Sequence, residues 1–369
     1  MAPLALGDRL WQRVVARLTD AESLARLARM PIARWFARRD ATRLFDLVAG
    51  FTYSQVLMAC VTGGVLDALR DGPRTEDALV HRTGLAPERL TLLLRAAQAL
   101  DLVRPAAGGQ VMLGRLGAAC LGVPGLTAMV AHHRALYDDL RDPMALLAGP
   151  ERTELADVWA YVHRGGIGSI DAQIAADYSR LMSESQAAVA RETLAQVDLS
   201  RARALLDVGG GQGMFLRAVA QAAPHLRLGL FDLPQVVAGL GLPAEVFGGN
   251  FKEDALPQGF DTISLVRVLF DHSDADVAAL LARVRAALPP GGRLIISEPM
   301  AGDRQPGRAG DVYYALYTAA MITGRTRRPQ DITAALGAAG FAVDRVHADR
   351  SPEVTRVIEA HVPAPPAAG

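Results

Sequence analysis

The stretch from Ala204 to Pro234, ALLDVGGGQGMFLRAVAQAAPHLRLGLFDLP, constrains this chain more than any other. Ala204-Leu205-Leu206 is a short apolar run of the kind that forms a buried strand. Asp207 and Val208 lead into Gly209-Gly210-Gly211-Gln212-Gly213. Met214 to Ala223 then has helical apolar spacing, and a second strand, Leu226 to Phe231, ends on Asp232. This is a βαβ half of a nucleotide-binding sheet. Its glycines let the backbone turn sharply and approach a ligand, and an acid follows at the spacing that reaches a ribose. A dinucleotide fingerprint needs G-x-G-x-x-G, but Gly211-Gln212-Gly213 runs on to Leu216. The loop reads acid-x-G-x-G-x-G instead, with Asp207 at its head. A pyrophosphate wants the open N–H groups of a helix start, so this tighter loop suits a ligand without phosphates. S-adenosylmethionine fits, with Asp232 accepting from both ribose hydroxyls. A glycine-rich turn that binds nothing is the alternative, and the acid after the second strand argues against it.

The α/β rhythm continues beyond Asp232. Ala244 to Phe247 reads as a third strand closed by Gly248-Gly249-Asn250-Phe251, and Phe260 to Val266 as a fourth. A helix over Asp274 to Leu288 stops at Pro289-Pro290-Gly291-Gly292. Arg293 to Met300 is a fifth strand carrying Glu298, Pro329 to Ala339 a helix, and FAVDRVHAD and TRVIEAHV the last pair of strands. The expected fold class is α/β, an open, mostly parallel Rossmann-like sheet with an antiparallel last strand. Ligands bind at the carboxyl ends of such strands. Gly209, Gly211, Gly213, Asp232, Asn250, Phe251, Arg267 and Glu298 all fall there.

At 369 residues the chain has room for two domains. Residues 1–40 form a basic amphipathic extension in which Pro31 should separate two helices. Such helices rest on an anionic membrane surface or pack on protein; interrupting acids favour packing. Residues 41–122 read as helices followed by a hairpin at Gly108-Gly109, an α-helical winged-helix domain. Its second helix, Pro87 to Leu100, offers only Arg89 and Arg95 to phosphates and is otherwise apolar, which suits a homodimer interface better than a major groove. Zero net charge likewise gives no case for nucleic acid. Residues 123–200 are a helical connector with His132, His133, Tyr178 and Met182 as candidates for a substrate pocket; adjacent histidines on a helix point about 100° apart and make no metal pair. Cys60 and Cys120 are too few for a metal site or a disulfide framework, so a reducing cytoplasm is expected. No signal peptide or apolar run of membrane-spanning length is read, which leaves a soluble protein or one peripheral on the inner membrane.

From Ala41 to Val362 the chain resembles the two-domain, S-adenosylmethionine-dependent O-methyltransferases that include acetylserotonin and plant phenolic methyltransferases. The resemblance rests on DVGGGQG, FDLP, Gly249-Asn250-Phe251, and RVLFDHSD followed by LPPGGRLIISEPM. It implies a class I methyltransferase domain over 201–362 with a short tail at 363–369, and a winged-helix half that dimerises and contributes to the partner's pocket. It also implies that Gly209 and the glycines after it hold the methionine portion of the cofactor. Asp232 then takes the ribose, Asn250 and Phe251 the adenine, and Arg267 the outer edge. Two departures stand out. Phe270 occupies the place of that family's catalytic histidine, and the acid that orients the histidine falls near Thr326. A narrower group shares these features, the carotenoid hydroxy-methyltransferases of purple phototrophs; LVRVLFDHSD, AGDVYYALYTAAMITGRTRRP and the basic N-terminus are similar to it.

That resemblance implies methylation of the tertiary hydroxyl of a carotenoid of the hydroxyneurosporene or demethylspheroidene type. Methylation of a polyketide, a phenol or a bacteriochlorin is the second reading, and a SAM-binding regulator without catalysis the third. Methyl transfer is an in-line displacement governed by positioning and desolvation. A base still helps, and His272, two residues past Phe270, is the local candidate, with His132 and His133 as rivals. Glu298 either orients a histidine or caps a buried polar group. Tyr313, Tyr314, Tyr317 and Met321 recur at helical spacing, which core packing explains as well as a pocket does.

Overall fold

Proline and glycine punctuate the N-terminal half where the sequence places them, with one additional break. In the computed structural model, which describes residues 6–27, 29–158, 186–348, 350–351 and 353–364, the chain separates into two units, Met1–Ala118 and Ala119–Gly369. The first begins with helices α1 (Leu6–Leu18), α2 (Ala21–Leu27) and α3 (Pro31–Thr62). Pro31 starts α3, where its missing N–H costs nothing. The unexpected break lies at Thr19-Asp20, where the Asp20 carboxylate accepts the Ser23 N–H at 2.7 Å and caps α2. The boundary expected at 40/41 falls inside α3, because neither Asp40 nor Ala41 breaks a helix. The same continuity corrects a second expectation. Leu47 to Thr62 carries no charge, and Ala33–Thr62 is, by length and composition, long and apolar enough to cross a membrane.

Helices Glu76–Thr83 and Pro87–Ala99 follow, the first capped by the Thr75 hydroxyl and stopped by Gly84 at φ +68°. Strands β1 (Val103–Pro105) and β2 (Val111–Leu113) pair antiparallel, completing the helix–turn–helix and hairpin read from the sequence. Leu79, Leu90, Leu94, Val103 and Val111 form much of this unit's core. The expected connector does not stand apart: its described residues belong to the unit that contains the sheet.

That unit is built on seven strands: β3 (Ala204–Val208), β4 (Arg227–Asp232), β5 (Glu245–Gly248), β6 (Thr262–Val266), β7 (Arg293–Glu298), β8 (Ala342–Val346) and β9 (Arg356–His361). Their order is β5-β4-β3-β6-β7-β9-β8. Pairings from β5 through β7 are parallel, and β9 runs antiparallel to both its neighbours. Period-two alternation splits the core. Leu206 and Val208 of β3 join Ile263, Leu280, Leu281 and Leu336 on one face, while Leu205 joins Phe215, Leu216 and Val219 on the other. Each such leucine contributes ~1.5–3 kcal/mol by leaving water. The order turns back at β3, which puts a crevice at the carboxyl ends of β3, β4 and β6.

Candidate active site

β3 delivers Asp207 into the core beneath the glycine loop. Its Oδ1 accepts the Ser264 hydroxyl at 2.6 Å, and its Oδ2 has no hydrogen-bond partner among the described residues. Burial pushes this carboxyl up to about 7, against the Ser264 bond. At Gly209 and Gly210 the backbone above it has no room for side chains. A Cβ at Gly210 would strike Asp207 Oδ2, and one at Gly209 would lie 2.9 Å from Val268 Cγ2. Gly209, Gly211 and Gly213 all take positive φ, the left-handed region that glycine enters without penalty.

Asp232, at the end of β4, closes the loop from the other side. Its Oδ2 accepts the Gly211 N–H and its Oδ1 the Leu233 N–H, both at 2.7 Å. Burial raises its pKa and these two donors oppose that. A carboxylate has about four acceptor directions, so two remain for vicinal hydroxyls. Space is open where a side chain at Gly211 would point. These open acceptor directions fit the vicinal hydroxyls of a ribose, and the Gly211 N–H, already bound to Asp232, is not left to hold a phosphate.

After β5, Asn250 makes a turn of its own: its N–H donates to Asp254 at 2.7 Å and its Oδ1 accepts the Lys252 N–H at 3.0 Å. The Phe251 ring lies 3.8 Å from the Cβ position of Gly209 and edge-on to the His272 ring, with centroids 5.1 Å apart. The fold thus brings Gly209, Phe251, Val268 and His272 together.

The turn that carries Phe270 and His272 is gripped on its backbone. Glu298 Oε1 accepts the Val268 and Leu269 N–H groups at 2.9 and 2.7 Å. Of the two roles open to Glu298, the geometry is that of a cap on a buried turn, because the tight turn aims its N–H groups at the end of β7. Burial pushes Glu298 up to about 7, and burial with Glu298 nearby pushes Asp271 well above the carboxylate range. From the other side Arg327, only 4% exposed, donates to the Leu269 and His272 carbonyls at 2.7 and 2.8 Å and pairs with Asp274. Sequence reasoning missed Arg327; in RTRR nothing distinguishes it from Arg325 and Arg328, which sit at the surface.

Arg267, at φ +57°, turns its guanidinium to the Tyr314 hydroxyl (2.9 Å) and the Val354 carbonyl (2.6 Å), over the rings of Phe270 and Tyr314. It serves the protein's own packing there, a role the sequence did not suggest. Residues Arg308–Tyr314 form a π-helix that runs into helix Ala315–Met321. Tyr313 and Tyr317 face helix Leu126–Asp139, where His133 Nε2 meets the Tyr313 hydroxyl at 2.7 Å and His132 Nε2 meets that of Tyr317 at 2.8 Å. Burial lowers both histidines, His132 to about 4, so both are neutral at pH 7. The helical spacing of these tyrosines does not by itself separate core from pocket. Tyr178 and Met182 lie outside the described residues.

A sequence profile of the O-methyltransferase domain matches residues 146–342. The demethylspheroidene O-methyltransferase of Cereibacter sphaeroides is 47% identical over 99% of this chain and 98% of its own. The chain belongs to the O-methyltransferase family. A second relative of this methyltransferase, the demethylspheroidene O-methyltransferase of Rhodobacter capsulatus, is 50% identical over 90% of this chain and 85% of its own. Among solved structures, a methyltransferase of calicheamicin biosynthesis with SAH bound superposes with a TM-score of 0.72 at 28% identity, covering 88% of this chain and 98% of that one.

Proposed function

We propose that this enzyme methylates a hydroxyl of an apolar carotenoid of the demethylspheroidene type. The observation that carries the reading is the 47% identity to a demethylspheroidene O-methyltransferase across nearly the whole of both chains. Phe270 supports it, since a phenylalanine cannot deprotonate a phenol and its ring packs against Tyr314 and Arg267. S-adenosylmethionine is the donor, and its sulfonium supplies an already activated methyl group. The chain's part would be to orient the acceptor oxygen toward that methyl group and to exclude water.

Asp232 takes the ribose hydroxyls, Gly209, Gly211 and Gly213 line the methionine portion, and Asn250 and Phe251 border the adenine. Arg267 backs the site through Phe270 and Tyr314. His272 accepts the proton of a tertiary hydroxyl, and His132 and His133 line the substrate pocket. Glu298 supports His272 through the turn. Residues 41–122 form a winged-helix dimerisation domain and make a homodimer. The enzyme works on the cytoplasmic side of the inner membrane, with its N-terminal helices touching the surface. Incubation with labelled S-adenosylmethionine and demethylspheroidene in detergent tests the reading. A labelled ether is expected; label on a phenol and none on the carotenoid overturns it.

A further inference from the structure

In α1 every described side chain is exposed, including Leu10, Trp11, Val14 and Leu18 at 42–63%. At 100° per residue these four fall on one side of the helix. Arg9, Arg13 and Arg17 form a row along one edge of that stripe, and Asp8 and Gln12 lie beyond its other edge. The pattern extends into the start of α3, where Met30, Trp35 and Phe36 are 53–59% exposed among Arg29, Arg34, Arg38 and Arg39. Residues 6–51 hold nine arginines against five acids, an excess of four positive charges on a chain whose net charge is zero.

We infer that α1 is an interfacial helix that docks the enzyme on an anionic phospholipid surface. Leu10, Trp11, Val14 and Leu18 enter the headgroup boundary, and Arg9, Arg13 and Arg17 pair with lipid phosphates. An apolar stripe edged by arginines and carrying a tryptophan suits that boundary, which offers hydrocarbon on one side and negative charge on the other. The later part of α3 differs. Leu44, Phe45, Leu47, Val48 and Phe51 are 62–77% exposed, fall on one side of the helix at 100° per residue, and have no basic residue after Arg43. That segment suits a second copy of the chain. The inference deepens the membrane contact proposed above and rests on it for its purpose, since an apolar polyene reaches the enzyme from a bilayer.

The test is flotation of the full-length enzyme with vesicles of phosphatidylcholine alone and of phosphatidylcholine containing phosphatidylglycerol. Binding is expected only to the anionic vesicles and should weaken with added salt. The triple variant R9Q/R13Q/R17Q should lower partitioning by roughly 100-fold, from a contribution of several-fold per arginine. Trp11→Ser should lower it by about tenfold. Both variants should keep wild-type turnover of detergent-dispersed demethylspheroidene and the wild-type oligomeric state. Equal binding to both vesicles, no binding to either, or variants that fall apart into monomers overturns the docking role of α1. Absence of wild-type turnover in detergent overturns the carotenoid reading, and vesicle binding measured in the same preparation keeps the two failures distinct.

Discussion

Replacing Asp232 by alanine removes two contacts of the free protein and two proposed contacts of the cofactor, and the two losses can be measured separately. In the free protein the carboxylate holds the Gly211 and Leu233 N–H groups at 2.7 Å each. Hydrogen bonds to a charged group contribute ~1.5–3 kcal/mol, but burial opposes ionisation here, so the loss of both should cost ~2 kcal/mol of stability. The remaining acceptor directions, filled by ribose hydroxyls, should contribute ~2–4 kcal/mol to the complex. Asp232→Ala should therefore weaken S-adenosylmethionine by ~30-fold or more. Asp232→Asn keeps one acceptor oxygen in place, so it should recover part of the stability while still losing cofactor affinity. Calorimetric titration reads the affinity and scanning calorimetry the stability. A folded Asp232→Ala protein with wild-type affinity refutes the assignment of this carboxylate to the ribose.

If His272 takes the proton, His272→Ala should lower turnover by ~10²–10⁴-fold with cofactor affinity within a few-fold, and a steady-state assay showing less than a tenfold loss removes it as the base. Phe270→His should not restore that activity, because a tertiary alcohol on a polyene sits differently from a planar phenol. Asp207 is pushed from an ordinary 3.8 to about 7 in the folded protein, so the folded state binds more protons than the unfolded one between those values and stability falls as pH rises through them. Asp207→Asn should gain on the wild type across that window by up to ~4 kcal/mol, and urea titrations at pH 5 and pH 8 giving the same difference between the two proteins exclude this. Arg327→Met strips donors from two buried carbonyls and should cost ~3 kcal/mol by chemical denaturation; a loss under ~0.5 kcal/mol, the level of a surface change, contradicts the clamp. Light scattering should find a dimer, and deleting residues 1–40 should leave it intact if residues 41–122 carry the interface.

The parts of the site that could be read in the sequence are those set by local pattern. The loop from Asp207 to Gly213 and the acid at Asp232 lie within one βαβ unit, where turn, helix and strand are fixed by near neighbours. The sheet was readable for the same reason, because each strand is bounded by its own glycines and prolines. Boundaries in the N-terminal half were less so. Pro31 marks a break, but Asp20 marks one only through a hydrogen bond to Ser23, and many aspartates in an Arg-rich helix make no such bond. The run of α3 through residue 40 is hidden by a change in composition, from arginine-rich to apolar, that a helix crosses without difficulty.

What could not be read depends on pairs far apart in the chain. His132 meets a hydroxyl 185 residues away and Arg327 meets a carbonyl 58 residues away, and one sequence holds no record of such pairs. The two groups that fix the Phe270–His272 turn share a further property. Glu298 binds backbone N–H groups and Arg327 binds backbone carbonyls. Support of that kind is indifferent to the side chains the turn presents. Phenylalanine can therefore stand at 270, where the resemblance places a histidine, without disturbing the polar shell beneath it, and Arg267 and Tyr314 cover its ring with apolar and cation–π contact. The side chain at this position is thus free to vary while the geometry of its backbone is held, and that leaves room for the apolar acceptor surface we propose there.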